Sequence, residues 1–150
     1  MLLGALMRFM HLSAAACFAL ALSLVGDASP ASVDDELPVD VDIVDLTRIE
    51  WEPGKPLPVW VQELNGRRVR IGGYMHVTTE DDVSAFMLVG DSCVCAGTPP
   101  PNHFVDVSLV EGETRRRPGM IDVIGIMSVG ELEEDGYVKS LFRMRADVLE

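Results

Sequence analysis

The chain has 150 residues, 48% of them hydrophobic, which is enough for one domain with its own core. Its formal charge of −12 and pI near 4.5 set a repulsive field before any polyanion, which argues against nucleic acid as a ligand and favours metal cations or a basic protein surface. No phosphate-cradling glycine loop, dinucleotide fingerprint or Gly-x-Ser-x-Gly stretch is present, and Asp81, Asp82 and Asp91 are not spaced for paired-carboxylate chemistry, so an enzyme is not supported.

Residues 1–11, MLLGALMRFMH, place Arg8 and His11 ahead of an apolar run from Leu12 to Val25. That run has the length of a signal-peptide core and falls short of the roughly 20 residues that cross a bilayer. Small residues follow at Gly26, Ala28, Ser29 and Ala31, so residues 1–28 read as an export signal. The alternative is an uncleaved N-terminal anchor, the one route by which this chain would meet a membrane. Cys17 does not read as a lipidation site, because the apolar run continues past it. The expected location is periplasmic or envelope-associated, where neighbouring thiols tend to oxidise.

Residues 29–48, rich in acids and proline, read as a flexible linker with no core of its own. Within it VDVDIVDL alternates and can dock on a sheet edge. Asp40, Asp42 and Asp45 lack the glycine and terminal glutamate of an EF-hand loop, so calcium is not indicated. The folded domain is expected over 49–150, with Trp51 as its first anchor. PVWVQELNG, 58–66, predicts one short helix, with Pro58 in its first turn and Asn65-Gly66 as its stop. Trp60, Val61 and Leu64 should share its buried face.

From residue 67 the period changes to two. RRVRIGGYMHV alternates Val69, Ile71, Met75 and Val77 against Arg68, Arg70, Tyr74 and His76, with Gly72-Gly73 suggesting a bulge or bend. AFMLVG, 85–90, is apolar on both parities. HFVDVSLV, 103–110, points Val105, Val107 and Leu109 inward. MIDVIGIMSVG, 120–130, and YVKSLFRMRADVL, 137–149, flank Asp135-Gly136, a hairpin turn. Five strands in so short a span predict a mainly β fold, a small five-stranded OB-like barrel preceded by one short helix, with a two-sheet sandwich as the alternative. The usual helix between strands three and four is missing, because EGETRRRPG reads as a plain turn. Its RRR, 115–117, reads as a solvated cationic loop.

The motifs IEW, LPVWVQELNGRRVRIGGYM, AFMLVGDSCVCAGTPPPNHFVDV, DVIGIMSVGE and GYVKSLFRMRA together resemble the domain-of-unknown-function family DUF3299 over about residues 49–148. The cysteine-bearing turn, proline run, asparagine and apolar strand carry the resemblance most specifically. It implies an exported bacterial protein of no established activity, with relatives encoded beside transport systems linked to zinc or other metals. The chain departs from the pattern at His103, where relatives more often carry Gln or Glu, and this weakens a family-wide metal role for that residue.

DSCVCAGTPPPNH, 91–103, holds the chemistry the rest of the chain lacks. Cys93 and Cys95 can pack as small apolar residues, form a disulfide, or ligate a metal. In an extended strand their Cα atoms would stand about 6.6 Å apart, near the upper edge of disulfide geometry. So short a ring would stabilise the fold by at most roughly 1.6 kcal/mol, and its strain would make it easily reduced. As metal ligands, Cys93 and Cys95 with His103 supply three donors for zinc or copper, and His76 is a conceivable fourth, although its parity places it on the polar face. The parity of His103 matches Val105 and Val107, which predicts an inward position at the barrel mouth. Cys-x-Cys is narrower than the spacing of ordinary structural zinc sites. Pro99, Pro100 and Pro101 form a rigid connector or a partner-binding surface, and the amide of Asn102 can bond across the loop.

These residues lead to an expected function: an exported, non-enzymatic accessory protein whose Cys-x-Cys/proline loop binds a soft metal or a protein partner, such as an envelope transport or assembly protein. The rival readings are thiol–disulfide exchange through Cys93 and Cys95, and a pure interaction module with an inert loop.

Overall fold

The computed structural model describes residues 37–79, 81–91 and 99–150. Six strands and two short helices follow in the order β1 (Val39–Asp42), α1 (Ile43–Thr47), α2 (Val59–Gln62), β2 (Arg68–His76), β3 (Ala85–Val89), β4 (Phe104–Leu109), β5 (Met120–Glu134) and β6 (Tyr137–Leu149).

The strands from β2 onward close on themselves. Antiparallel ladders join β2 to β3, β3 to β4, β5 to β6 and β2 to β5, and a parallel ladder joins β4 to β6. The circuit β2–β3–β4–β6–β5–β2 is the closed five-stranded OB-like barrel predicted from the strand pattern. No helix lies among the described residues between β4 and β5, where the sequence read a plain turn; Thr114 there makes an isolated bridge with Val83.

Alternation determines which side chains fill the barrel. Val69, Ile71 and Met75 of β2, Phe86 and Leu88 of β3, Val105 and Val107 of β4, Val123 and Met127 of β5, and Phe142 and Met144 of β6 are buried in one core. Asp135 (φ 53°) and Gly136 (φ 79°) make the tight β5–β6 turn, both in the left-handed conformation that a two-residue hairpin favours.

The glycine pair of β2 is not a bulge. The ladder to β5 runs without interruption from Gly72 opposite Asp122 to Gly73 opposite Ile121. Instead, β3 crosses close at Gly73, where a methyl group would stand 2.8 Å from Leu88 Cγ and 2.9 Å from the Val89 carbonyl oxygen. The bulges lie between β5 and β6. One falls beside Gly125, where an added Cβ would strike the backbone of Arg145 and Ala146. The others fall between Val129 and Leu132 and between Leu132 and Glu133.

Two expectations need correction. The linker expected over 29–48 is folded at its C-terminal end, and residues 29–36 lie outside the described ones, as does the export signal expected over 1–28. Val39–Asp42 pairs in parallel with Val69–Gly72, so β1 fills the part of the β2 edge that β3 leaves uncovered. Ile43 and Leu46 of α1 are then buried in the core, and Asp42 caps the helix by accepting from Val44 N at 2.8 Å. Thus the core begins before Trp51, which packs against it half-buried. The second correction concerns the helix at 58–66. α2 is a single turn, and the chain continues through turns to Gly66, whose N–H donates to the Met127 carbonyl at 2.8 Å. Val61 and Leu64 are buried, but Trp60 is 44% exposed. One helical turn is too short to hold three side chains on one face.

Candidate functional site at the barrel rim

The cysteine stretch connects β3 to β4. Cys93 and Cys95 lie outside the described residues; the two ends of their connection do not. At the leading end Gly90 faces α1, and a methyl group there would stand 3.4 Å from Ile43 Cγ2. At the trailing end His103 N donates to the Pro100 carbonyl at 2.8 Å, closing a turn, and Leu141 N of β6 donates to the Pro101 carbonyl at 3.1 Å. Asn102 is buried, and its amide donates to the Ile49 carbonyl at 3.4 Å.

This geometry sorts the candidates. Asn102 bonds out of the loop to the segment that follows α1, so it ties the loop to that segment. Pro100 is exposed, while Pro99 and Pro101 are half-buried. His103 is exposed, not directed inward. The turn it closes ends before β4 begins at Phe104, so strand parity does not extend back to it. Its imidazole is presented to solvent at the rim beside the cysteine connection.

His76 stands two positions along the ladder from the point where the cysteine connection leaves β3. It ends β2, opposite Met87, whereas the cysteine connection leaves β3 after Val89, opposite Tyr74. On β4 the partner of Met87 is Asp106, three residues on from His103. The expected parity of His76 holds: it stands on the outer face of the barrel, away from the core row of Met75, Leu88 and Val105.

Its surroundings there are chemically mixed. His76, Met87 and Asp106 occupy one register row over three adjacent strands and line one open pocket of about 230 Å³, with Thr78 and Thr79 at its lip. Burial pushes the Asp106 carboxyl above its ordinary 3.8, and Arg143, its partner on β6, pulls it partly back. Arg143 is turned toward the β5–β6 bend, where Nη1 donates to the carbonyls of Gly130 at 2.9 Å and Ser140 at 3.3 Å.

The arginine run near this pocket is exposed, as expected, although two of its side chains find partners. Arg115 pairs with Asp82 at 2.8 Å, Arg117 donates to the Leu149 carbonyl at 3.1 Å, and Arg116 faces Thr78 and Thr79 across an adjoining groove.

A larger groove, about 550 Å³, lies between the segment after Trp51, α2 and the bend of β5, lined by Lys55, Leu57, Gln62, Asn65, Val129 and Glu131. Its polar groups largely serve the fold. Glu131 Oε1 accepts from Trp51 Nε1 at 3.1 Å and from Gly54 N at 2.9 Å, Asn65 Oδ1 accepts from Val129 N at 2.9 Å, and Gln62 donates to the Leu57 carbonyl. The sequence reading missed this groove, because it depends on residues more than 70 apart meeting at a bulge. Among the described residues no three His, Cys, Asp or Glu side chains gather as a metal-ligand set.

The closed barrel, its extra parallel strand and a rooted cysteine-bearing rim connection define a small OB-like protein. The family model for the protein of unknown function DUF3299 matches residues 52–150, and the chain belongs to that family. A crystal structure of a DUF3299 family protein from Pseudomonas aeruginosa PAO1 superposes with a TM-score of 0.52 at 19% identity, covering 76% of this chain and 95% of that one, and it supports the fold. A chain of the "putative aspartyl-tRNA synthetase" from Leishmania major Friedlin reaches a TM-score of 0.39 at 13% identity, covering 83% of this chain and 22% of that one. Comparison with the curated proteins gives no match.

Proposed function

We propose that this is an exported, periplasmic, non-enzymatic accessory protein whose Cys93–Cys95/proline connection binds a soft metal ion, zinc or copper, or a protein partner of envelope metal transport. One observation carries the reading: the connection is anchored at both ends. Gly90 is seated against α1, and Pro101 and Asn102 are tied to β6 and to Ile49. The described flanks of the connection are therefore already held in the fold before anything binds, which favours recognition. His103, eight residues after Cys95, exposes its imidazole and offers a third donor type. The charge of −12 draws cations toward the surface.

Native mass spectrometry of the protein isolated from its own envelope fraction tests the reading. The expected spectrum shows a chain shortened by the signal and carrying zinc or copper, with one ion fewer in a Cys93→Ser/Cys95→Ser variant. A two-dalton deficit with no bound metal would favour thiol–disulfide exchange instead. Retention of both fold and partner by the double variant would leave an interaction module with an inert loop.

A further inference from the structure

The outer-face row of His76, Met87 and Asp106 belongs to no part of the proposed function. Met87 lies directly opposite His76 on one side and Asp106 on the other, and all three line the same pocket. Directly opposed residues on neighbouring strands hold their Cβ atoms roughly 4.5–5.5 Å apart. The row therefore presents an imidazole nitrogen, a thioether sulfur and a carboxylate within side-chain reach of one point. The geometry points to a second metal site here, a copper site in which His76 and Met87 hold Cu⁺ and Asp106 supplies the balancing negative charge.

The donor types select the ion. A thioether is a poor ligand for calcium or magnesium and a good one for Cu⁺, and imidazole suits copper. Asp106 is half-buried, and among the described residues no hydrogen bond or ion pair satisfies its carboxylate, since Arg143 sends its Nη1 to Gly130 and Ser140 instead. A bound cation would offset that burial. Met87 is also only half-buried, at the centre of a row whose neighbours are polar, where core packing does not call for a methionine. The pocket is open, so an ion has a path to it.

This site is independent of the cysteine connection, and its test removes that connection first. The full chain carrying Cys17→Ser, Cys93→Ser and Cys95→Ser is titrated with Cu⁺ without oxygen, against a coloured Cu⁺ chelator. One equivalent is expected to remain bound. Adding Met87→Leu, which keeps side-chain volume, should weaken that equivalent tenfold or more, and adding His76→Ala should abolish it. Thermal unfolding of each variant without metal checks that the barrel stays folded. If the cysteine-free chain binds no Cu⁺, or holds it with unchanged affinity after both Met87→Leu and His76→Ala, the site does not exist. Should His76→Ala fail to fold, His76→Gln replaces it and is read by the same criteria.

Discussion

Gly125 and Asp106 are positions where one side chain decides what the barrel tolerates. At Gly125 the β6 backbone approaches so closely that any Cβ would meet Arg145 and Ala146. Gly125→Ala should therefore force the β5–β6 bulge apart and destabilise the fold by about 1–3 kcal/mol, seen as a lower urea midpoint at unchanged slope. Asp106 behaves differently because its charge is the problem. Its folded-state value lies above the ordinary 3.8, so the folded chain holds that proton more tightly than the unfolded chain does. Its contribution is most favourable below the unfolded value and is lost as pH rises through the folded value. In metal-free buffer Asp106→Asn should thus be at least as stable as the parent at pH 7, and the two should converge as pH falls to about 4. A variant clearly less stable at pH 7 would mean that Arg143 outweighs burial. Single residues also mark the limits of the sequence. His103 was misplaced because a turn closed by its own N–H interrupts the strand parity, which local alternation does not reveal. The His76–Met87–Asp106 row depends on which strands pair and in what register, information held by residues far apart in the chain.

The barrel strands were legible where one face is buried and the other wet. In β2, β4 and β6 alternation gave the facing of the core residues and placed each boundary to within a residue, and Asp135-Gly136 fixed the hairpin. The segment β1–α1 was only half legible. Its aspartates suggested solvation, yet they alternate outward from Val39 and Val41, and Ile43 and Leu46 turn in. A four-residue strand and one-turn helices carry too little period to be recognised without the surface they dock on. That surface gives a measurable dependence. Leu46 is fully buried, so Leu46→Ala should cost about 2–5 kcal/mol in global unfolding. A loss under about 1 kcal/mol would mean that α1 detaches without disturbing the barrel. β5 extends four residues past the expected end, to Glu134, because the hairpin arm carries an acidic ladder that pairs with β6 despite its polarity.

For the whole molecule, closure is the organising fact, and it explains why fold was more readable than function. Strand number and alternation suffice to predict a closed barrel, whereas a binding site depends on which loops and faces meet. The DUF3299 match extends the fold to a family without assigning chemistry. Closure also predicts how the molecule fails. A chain ending at Gly136 would lack β6 and leave β4 and β5 each with an open edge. Such a chain should lose near-ultraviolet circular dichroism and aggregate, while the full chain at the same concentration stays monodisperse in light scattering.

The strand that bridges the barrel's gap, β6, runs parallel to β4 and antiparallel to β5, and it comes after every other described strand in sequence. Until it is seated, the two flanking strands each lack a neighbour and the cylinder stays open. Shutting the cylinder therefore waits on its most C-terminal clasp, and every ladder made before it leaves bare backbone on either side of the gap.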